Sequence, residues 1–200
     1  MSRIVLATRN AAKLAELARI LAEADLPLQA GGVDEFPDVP EVAETGRTFA
    51  ENALLKAHAV AAATGLPTIA DDSGLCVDAL NGMPGIFSAR WAGKHGDDEA
   101  NLDLVLAQLT DVPDSRRGAH FACAAALARP DGTGETVLAT ITGVLLRERR
   151  GSNGFGYDPI FRPYGHERTT AQMSAAEKDA ISHRGQALRA LLPALRRLIV

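Results

Sequence analysis

The stretch Arg3-Ile4-Val5-Leu6-Ala7-Thr8-Arg9-Asn10-Ala11-Ala12-Lys13 decides the class of the fold. Arg3 to Thr8 is a short apolar run with β-branched residues, the pattern of a buried strand. Asn10 is a helix N-cap residue type. Leu14, Leu17, Ala18 and Leu21 then recur at helical spacing to about Ala24, ahead of Pro27. A strand feeding directly into a helix opens an α/β unit.

Downstream, the acidic, Pro-containing stretch Gly31 to Gly46 reads as a loop. Thr48 and Glu51 form a capping box that starts a helix running to about Thr64 and stopping at Gly65. Thr68 to Ala70 reads as a short strand ending at Asp71-Asp72-Ser73-Gly74, and Leu75 to Leu80 as another. Asn81 to Gly96 reads as an irregular Gly-rich loop and Asp97 to Leu109 as a helix. His120 to Arg129 and Glu135 to Leu146, joined by Asp131-Gly132-Thr133-Gly134, predict a β-hairpin. Gly151 to Asp158 is a Gly/aromatic loop. Ser174 with Glu177 is a second capping box, and a final helix follows Ser182, with Pro193 placed to kink or interrupt it. The order βα, α, β, α, ββ, α predicts an α/β fold with a mixed sheet flanked by helices, as one domain over residues 1–200.

Composition narrows the function. The 200 residues suffice for one sizeable domain, and 23% charged residues is near the globular norm. A net charge of −4 argues against a sequence-independent binder of duplex nucleic acid, which needs a basic surface. Cys76 and Cys123 lie in apolar stretches without a CxxC spacing, as expected of buried, reduced thiols in a cytoplasmic protein. The N-terminus turns polar after five residues, against a signal peptide, and no apolar run reaches the roughly 18 residues of a membrane span. Of the 21 basic residues only four are lysine: Lys13, Lys56, Lys94 and Lys178. Where arginine is the default cation, each lysine merits attention.

Five stretches carry candidate chemistry. Thr8 to Lys13 puts backbone N–H groups and the positive end of a helix dipole at a strand-to-helix turn, which suits a phosphate; an ordinary N-cap with a surface lysine is the plainer alternative. Asp71 and Asp72 at a strand's end, with the upstream acids Glu44 and Glu51, suit Mg²⁺, a hard cation that prefers oxygen; a turn with capping aspartates fits as well. Asn52 and Lys56, four apart, share one helix face. In Asn153 to Pro159, glycines allow close backbone approach, and Phe155 and Tyr157 offer ring faces to a base, or else anchor the turn. Lys178, His183 and Arg184 bring donors together near a helix start, suited to the O6 acceptor of a 6-oxopurine and unsuited to the amino group of adenine. HExxH, a Cys/His zinc set, a P-loop and a G-x-S-x-G elbow are absent from the sequence.

In this order the blocks LATRNAAKLAEL, ETGRTFAENALLKA, ADDSGLCVDALNGMPGIFSARWAG, NGFGYDPIF and AEKDAISHRGQAL strongly resemble the inosine/xanthosine triphosphate pyrophosphatase family. The family's first block usually reads Thr/Ser-x-Asn-x-x-Lys, often with glycines. Here Arg9 and Ala12 stand in those places, which implies a stiffer loop with an added charge. The resemblance implies an elongated mixed sheet with two lobes, an active-site cleft between them, and a homodimer. It implies Mg²⁺-dependent cleavage of ITP, dITP and XTP between the α- and β-phosphates, giving the monophosphate and pyrophosphate. Carried over by motif position, Asp72 is the acid/base and a metal ligand, and Glu44 is a metal ligand. Thr8, Arg9, Asn10, Ala11, Ala12, Lys13, Lys56 and Ser73 hold phosphates. Phe155, Gly156, Tyr157, Asp158, Lys178, His183 and Arg184 frame the base and sugar. Residue spacing alone does not separate attack at the α- from attack at the γ-phosphorus. A non-catalytic purine nucleotide sensor and a pyrophosphatase for other modified nucleotides remain the alternatives.

Overall fold

The computed structural model describes residues 2–199. Six strands form one sheet in the order β2-β1-β3-β4-β5-β6. They are β1 (Ser2–Leu6), β2 (Leu28–Gly32), β3 (Thr68–Val77), β4 (Gly118–Ala128), β5 (Gly134–Leu145) and β6 (Phe161–Pro163). The helices are α1 (Ala11–Glu23), α2 (Phe49–Thr64), α3 (Asp98–Gln108), α4 (Ala175–Ile181), α5 (His183–Ala190) and α6 (Leu192–Arg196). β1 runs parallel to β2 and to β3, and β5 runs antiparallel to β6, so the sheet is mixed as expected.

The predicted caps are in place. Asn10 Oδ1 accepts from Ala12 N and Lys13 N at the start of α1, and Thr48 Oγ1 accepts from Glu51 N at the start of α2. Gly65 ends α2 with φ of 68°, a left-handed position that glycine takes without penalty. The Ser174–Glu177 capping box opens α4. Pro193 stands in the first turn of α6, so the expected final helix is interrupted: a break at Leu191 separates α5 from α6.

The sequence expectations miss in three places. Leu28–Gly32 is a strand, although LQAGG has no β-branched residue and two glycines. Its pairing with β1, Ser2 opposite Leu28 through Leu6 opposite Gly32, supplies what local propensity lacks. β6 is likewise held by its register on β5. Most consequentially, Thr68–Val77 is one continuous strand: Asp71-Asp72-Ser73-Gly74 lies inside β3 and is not a turn.

The chain divides into two compact units. Among the described residues, the first comprises 2–72, Cys123–Ala139 and 184–199, and the second Ser73–Ala122 and Thr140–His183. In the first, Ile69, Cys123, Ala125 and Leu127 pack with Leu17, Ile20 and Leu21 of α1 and Leu188 of α5. The alternate residues Ala70, Ala124, Ala126 and Ala128 pack instead with Ala53, Ala57 and Ala61, which recur every four residues along α2. Strand residues alternate between faces, so these two clusters lie on opposite sides of the sheet. In the second unit, Leu75 and Val77 pack with Leu102, Val105 and Leu109 of α3 and with Tyr157, Ile160 and Phe161.

Candidate active site

The alternation that separates the two apolar clusters also separates Asp71 from Asp72. Asp71 follows Ile69 onto the side of α1 and α5, where its Oδ2 lies 2.6 Å from Lys13 Nζ and 3.4 Å from Arg184 Nε. Asp72 follows Ala70 onto the side of α2, where its Oδ2 accepts from Asn52 Nδ2 at 3.0 Å and its Oδ1 lies 3.9 Å from Lys56 Nζ. Two adjacent carboxylates, both buried, thus answer to different cations. Burial alone would raise the Asp71 pKa. Lys13 and Arg184 outweigh it and hold the carboxyl down at about 2.

Around Asp72 the groups converge. Lys56 Nζ donates to Glu44 Oε1 at 2.5 Å while facing Asp72, so one ammonium sits between two carboxylates. Asn52 is fully buried and bridges: its Oδ1 accepts from Gly46 N at 2.8 Å, and its Nδ2 donates to Asp72. Spacing along α2 puts Asn52 beside Lys56 on one helix face and by itself gives Asn52 no role. Its signal was the i, i+4 polar pair on a helix otherwise dominated by alanine and leucine. Glu51 is not part of this group. Its Oε2 accepts from Arg47 N, closing the start of α2. Glu44 and Asp72 offer oxygen donors that already converge on a cation, a donor set that fits Mg²⁺. Among the described residues no third Asp, Glu, His or Cys joins them.

At the Thr8–Lys13 turn, Asn10 Oδ1 takes the N–H groups of Ala12 and Lys13, and Thr8 Oγ1 takes that of Asn10. Fewer backbone donors are therefore open to an anion than the motif implies. The exposed Asn10 side chain, with its oxygen turned to the helix, leaves its amide N–H₂ as donor. Arg9 is exposed and lies 3.6 Å from Asp34. Arg184, assigned by motif to base and sugar, is buried. It donates Nη1 to Glu16 Oε2 and Nη2 to the Lys13 carbonyl at 3.4 Å.

The second unit holds the Gly/aromatic loop. Phe155 is 75% exposed, and Lys178 Nζ stands 4.8 Å from its ring centroid. Tyr157 is not a second ring face. It is buried in the core and its hydroxyl donates to Ser88 O at 2.8 Å, with burial pushing its pKa up. Asp158 ties the loop together: Oδ2 accepts from Phe155 N and from Lys178 Nζ, and Oδ1 accepts from Thr170 Oγ1. Gly154, at φ of 77°, lies so close that a Cβ there would meet Asp158 Oδ2 at 2.1 Å. Asp98, which the sequence reading left aside, accepts from Gly156 N at 2.9 Å. His183 stacks on Phe121 with ring centroids 5.1 Å apart and planes 9° apart. Ser73, the next residue after Asp72 in β3, is half-buried.

Three of the four lysines therefore each sit against a carboxylate: Lys13 on Asp71, Lys56 on Glu44, and Lys178 on Asp158. Lys94 is exposed. Cys76 and Cys123 are free and buried; burial is the first cause raising both thiol pKa values, with the nearby carboxylates Asp78 and Asp71 adding to it. Among the described residues no helix is long and apolar enough to cross a membrane.

The family model for the Ham1 family matches residues 4–194. A dITP/XTP pyrophosphatase of Streptomyces coelicolor is 64% identical over 199 residues, covering all of both chains. The solved structure of a HAM1 protein from Coxiella burnetii superposes with a TM-score of 0.91 at 46% identity, covering 98% of this chain and 100% of that one. A nucleoside-triphosphatase / dITP/XTP pyrophosphatase from Mycobacterium abscessus matches with a TM-score of 0.81 at 53% identity, covering 96% of this chain and 99% of that one. With the sheet order, the ordered motifs and these near end-to-end matches in agreement, the chain belongs to the Ham1 family.

Proposed function

We propose that this protein hydrolyses deaminated purine nucleoside triphosphates (dITP, ITP and XTP) to the monophosphate and pyrophosphate, with Mg²⁺ and as a homodimer. The observation that carries the reading is the group built on β3 and α2: Asp72, Glu44, Lys56 and Asn52, with carboxylate oxygens converging on one cation. The names of the relatives, dITP/XTP pyrophosphatase, support the substrate class.

Phosphoryl transfer needs positioning and charge stabilisation more than covalent help. Lys13 and the Asn10 amide orient and neutralise phosphate oxygens. Lys56, between Glu44 and Asp72, keeps that pair of carboxylates from repelling an incoming triphosphate. Asp72 accepts a proton at its carboxylate from the attacking water. Mg²⁺, held by Glu44 and Asp72 when bound, supplies Lewis-acid neutralisation of the phosphate charge. In the second unit Phe155 offers its ring to the base, and Lys178 and His183 offer donors to O6. Asp158 and Asp98 hold the loop that presents Phe155.

The test is a panel of dITP, XTP, dGTP and dATP with Mg²⁺, read as phosphate with and without added inorganic pyrophosphatase. Phosphate should appear only with the auxiliary enzyme, and kcat/KM should be at least about 100-fold higher for dITP than for dATP, as when a half-buried donor set loses its acceptor. Phosphate released without the auxiliary enzyme overturns the bond assignment, and equal rates on dATP overturn the base assignment. Sedimentation velocity should give twice the 21.1 kDa chain mass, and a single-chain mass overturns the homodimer.

A further inference from the structure

We infer that Asp71 is a positioning residue for catalysis: one buried carboxylate that braces Lys13 and Arg184 and so holds the phosphate-binding turn in register. The inference rests on the proposed function. It concerns a residue to which the motif resemblance gives no role.

The network is closed and local. Asp71 Oδ2 receives Lys13 Nζ from α1 and faces Arg184 Nε from α5. Arg184 gives Nη1 to Glu16, one turn along α1 from Lys13, and Nη2 to the backbone carbonyl of Lys13 itself. Both the side chain and the backbone of Lys13 are thus tied to groups anchored by Asp71. The two cations approach the same carboxylate oxygen, so without its charge they repel each other across a buried site. Arg184 Nε makes no hydrogen bond among the described residues, so the carboxylate charge is what balances it.

A lysine on a flexible four-carbon stem is a loose phosphate ligand unless something holds it. Asp71 is 6% exposed and takes one of the three ammonium N–H donors, leaving two for a ligand. Two opposed effects follow from removing its charge. The site gains one unit of positive potential, which favours anion binding. Lys13 loses its fixed position, which disfavours the transition state, where placement matters most. Asp71→Asn should therefore lower kcat without raising KM.

The experiment is a double-mutant cycle on dITP hydrolysis with Asp71→Asn and Lys13→Ala, with folding checked by thermal melts. Asp71→Asn alone is expected to lower kcat by at least about tenfold, within the range for sub-ångström to ångström misplacement of a binding group. In the Lys13→Ala background the same change should alter kcat by less than about twofold, since the group it positions is gone. Equal losses in both backgrounds, or an unchanged kcat in the wild-type background, overturn the inference. Should Asp71→Asn fail to fold, Arg184→Gln, which keeps both charges of the Lys13–Asp71 pair, is taken through the same cycle. Additivity with Lys13→Ala there overturns it too. A wild-type protein that leaves dITP intact overturns the functional proposal instead, so the two failures are distinct.

Discussion

Asp72→Asn is expected to abolish most turnover, by roughly 10²–10⁴-fold in kcat, the range for loss of a general base. Nucleotide binding should stay within a few fold of wild type. The substitution preserves shape and the possibility of accepting from Asn52 Nδ2, so the buried hydrogen bond is kept. It removes the charge that faces Lys56 and the oxygen that would take a proton from water. It also removes one of two carboxylates able to hold Mg²⁺. The measurement is pyrophosphate release under saturating dITP, paired with equilibrium binding of dITP by calorimetry. Turnover near wild type would remove Asp72 from the role assigned to it, whereas loss of binding in step with turnover would make it a binding residue only.

The second large effect is on stability. Arg117 is only 2% exposed, and its guanidinium reaches three backbone carbonyls: Leu145 O through Nε at 2.8 Å, Leu109 O through Nη1 at 2.7 Å and Leu146 O through Nη2 at 3.0 Å. It joins the end of α3 to the end of β5 within the second unit. Burial, then the charge of Arg147, disfavours its cationic form, so part of its binding energy is offset by desolvation. Arg117→Leu relieves that desolvation but takes the guanidinium donors from Leu145 O and Leu146 O, each loss costing about 1–3 kcal/mol, while Leu109 O keeps its bond from Val112 N. The carbonyls win: a net loss of about 3 kcal/mol is expected, or about 6–12 °C in Tm for a chain of this size. Thermal unfolding followed by circular dichroism measures it. A fall of less than about 2 °C would mean that water replaces the guanidinium at little cost.

How much of this was legible in the sequence depends on how far each feature reaches along the chain. Asn10, Thr48 and Ser174 cap helices with N–H groups two or three residues away, so their roles follow from local spacing. The hairpin and the break near Pro193 are local in the same sense. The ordered blocks point to the family, and the match of the Ham1 family model over residues 4–194 bears that out. Lysine scarcity marks four positions, and three of them, Lys13, Lys56 and Lys178, stand against a carboxylate.

What needed the tertiary structure was the fate of residues whose neighbours are far along the chain. Asp-Asp-Ser-Gly has poor strand propensity and reads locally as a turn. It becomes strand because β3 is the central member joining β1 to β4, and because cations from α1, α5 and α2 wait on either side. Once it is strand, the two-residue period sends Asp71 and Asp72 to opposite faces, one toward Lys13 and Arg184 and the other toward Lys56. The same holds for Asn52, whose partner Asp72 is 20 residues away, and for Tyr157, whose hydroxyl finds Ser88 O 69 residues back. Sequence by itself determined the elements, their caps and the family, because those rest on short-range hydrogen bonding and pattern. Tertiary structure alone decided which charge faces which, because a buried carboxylate is stable only against partners that the fold brings to it.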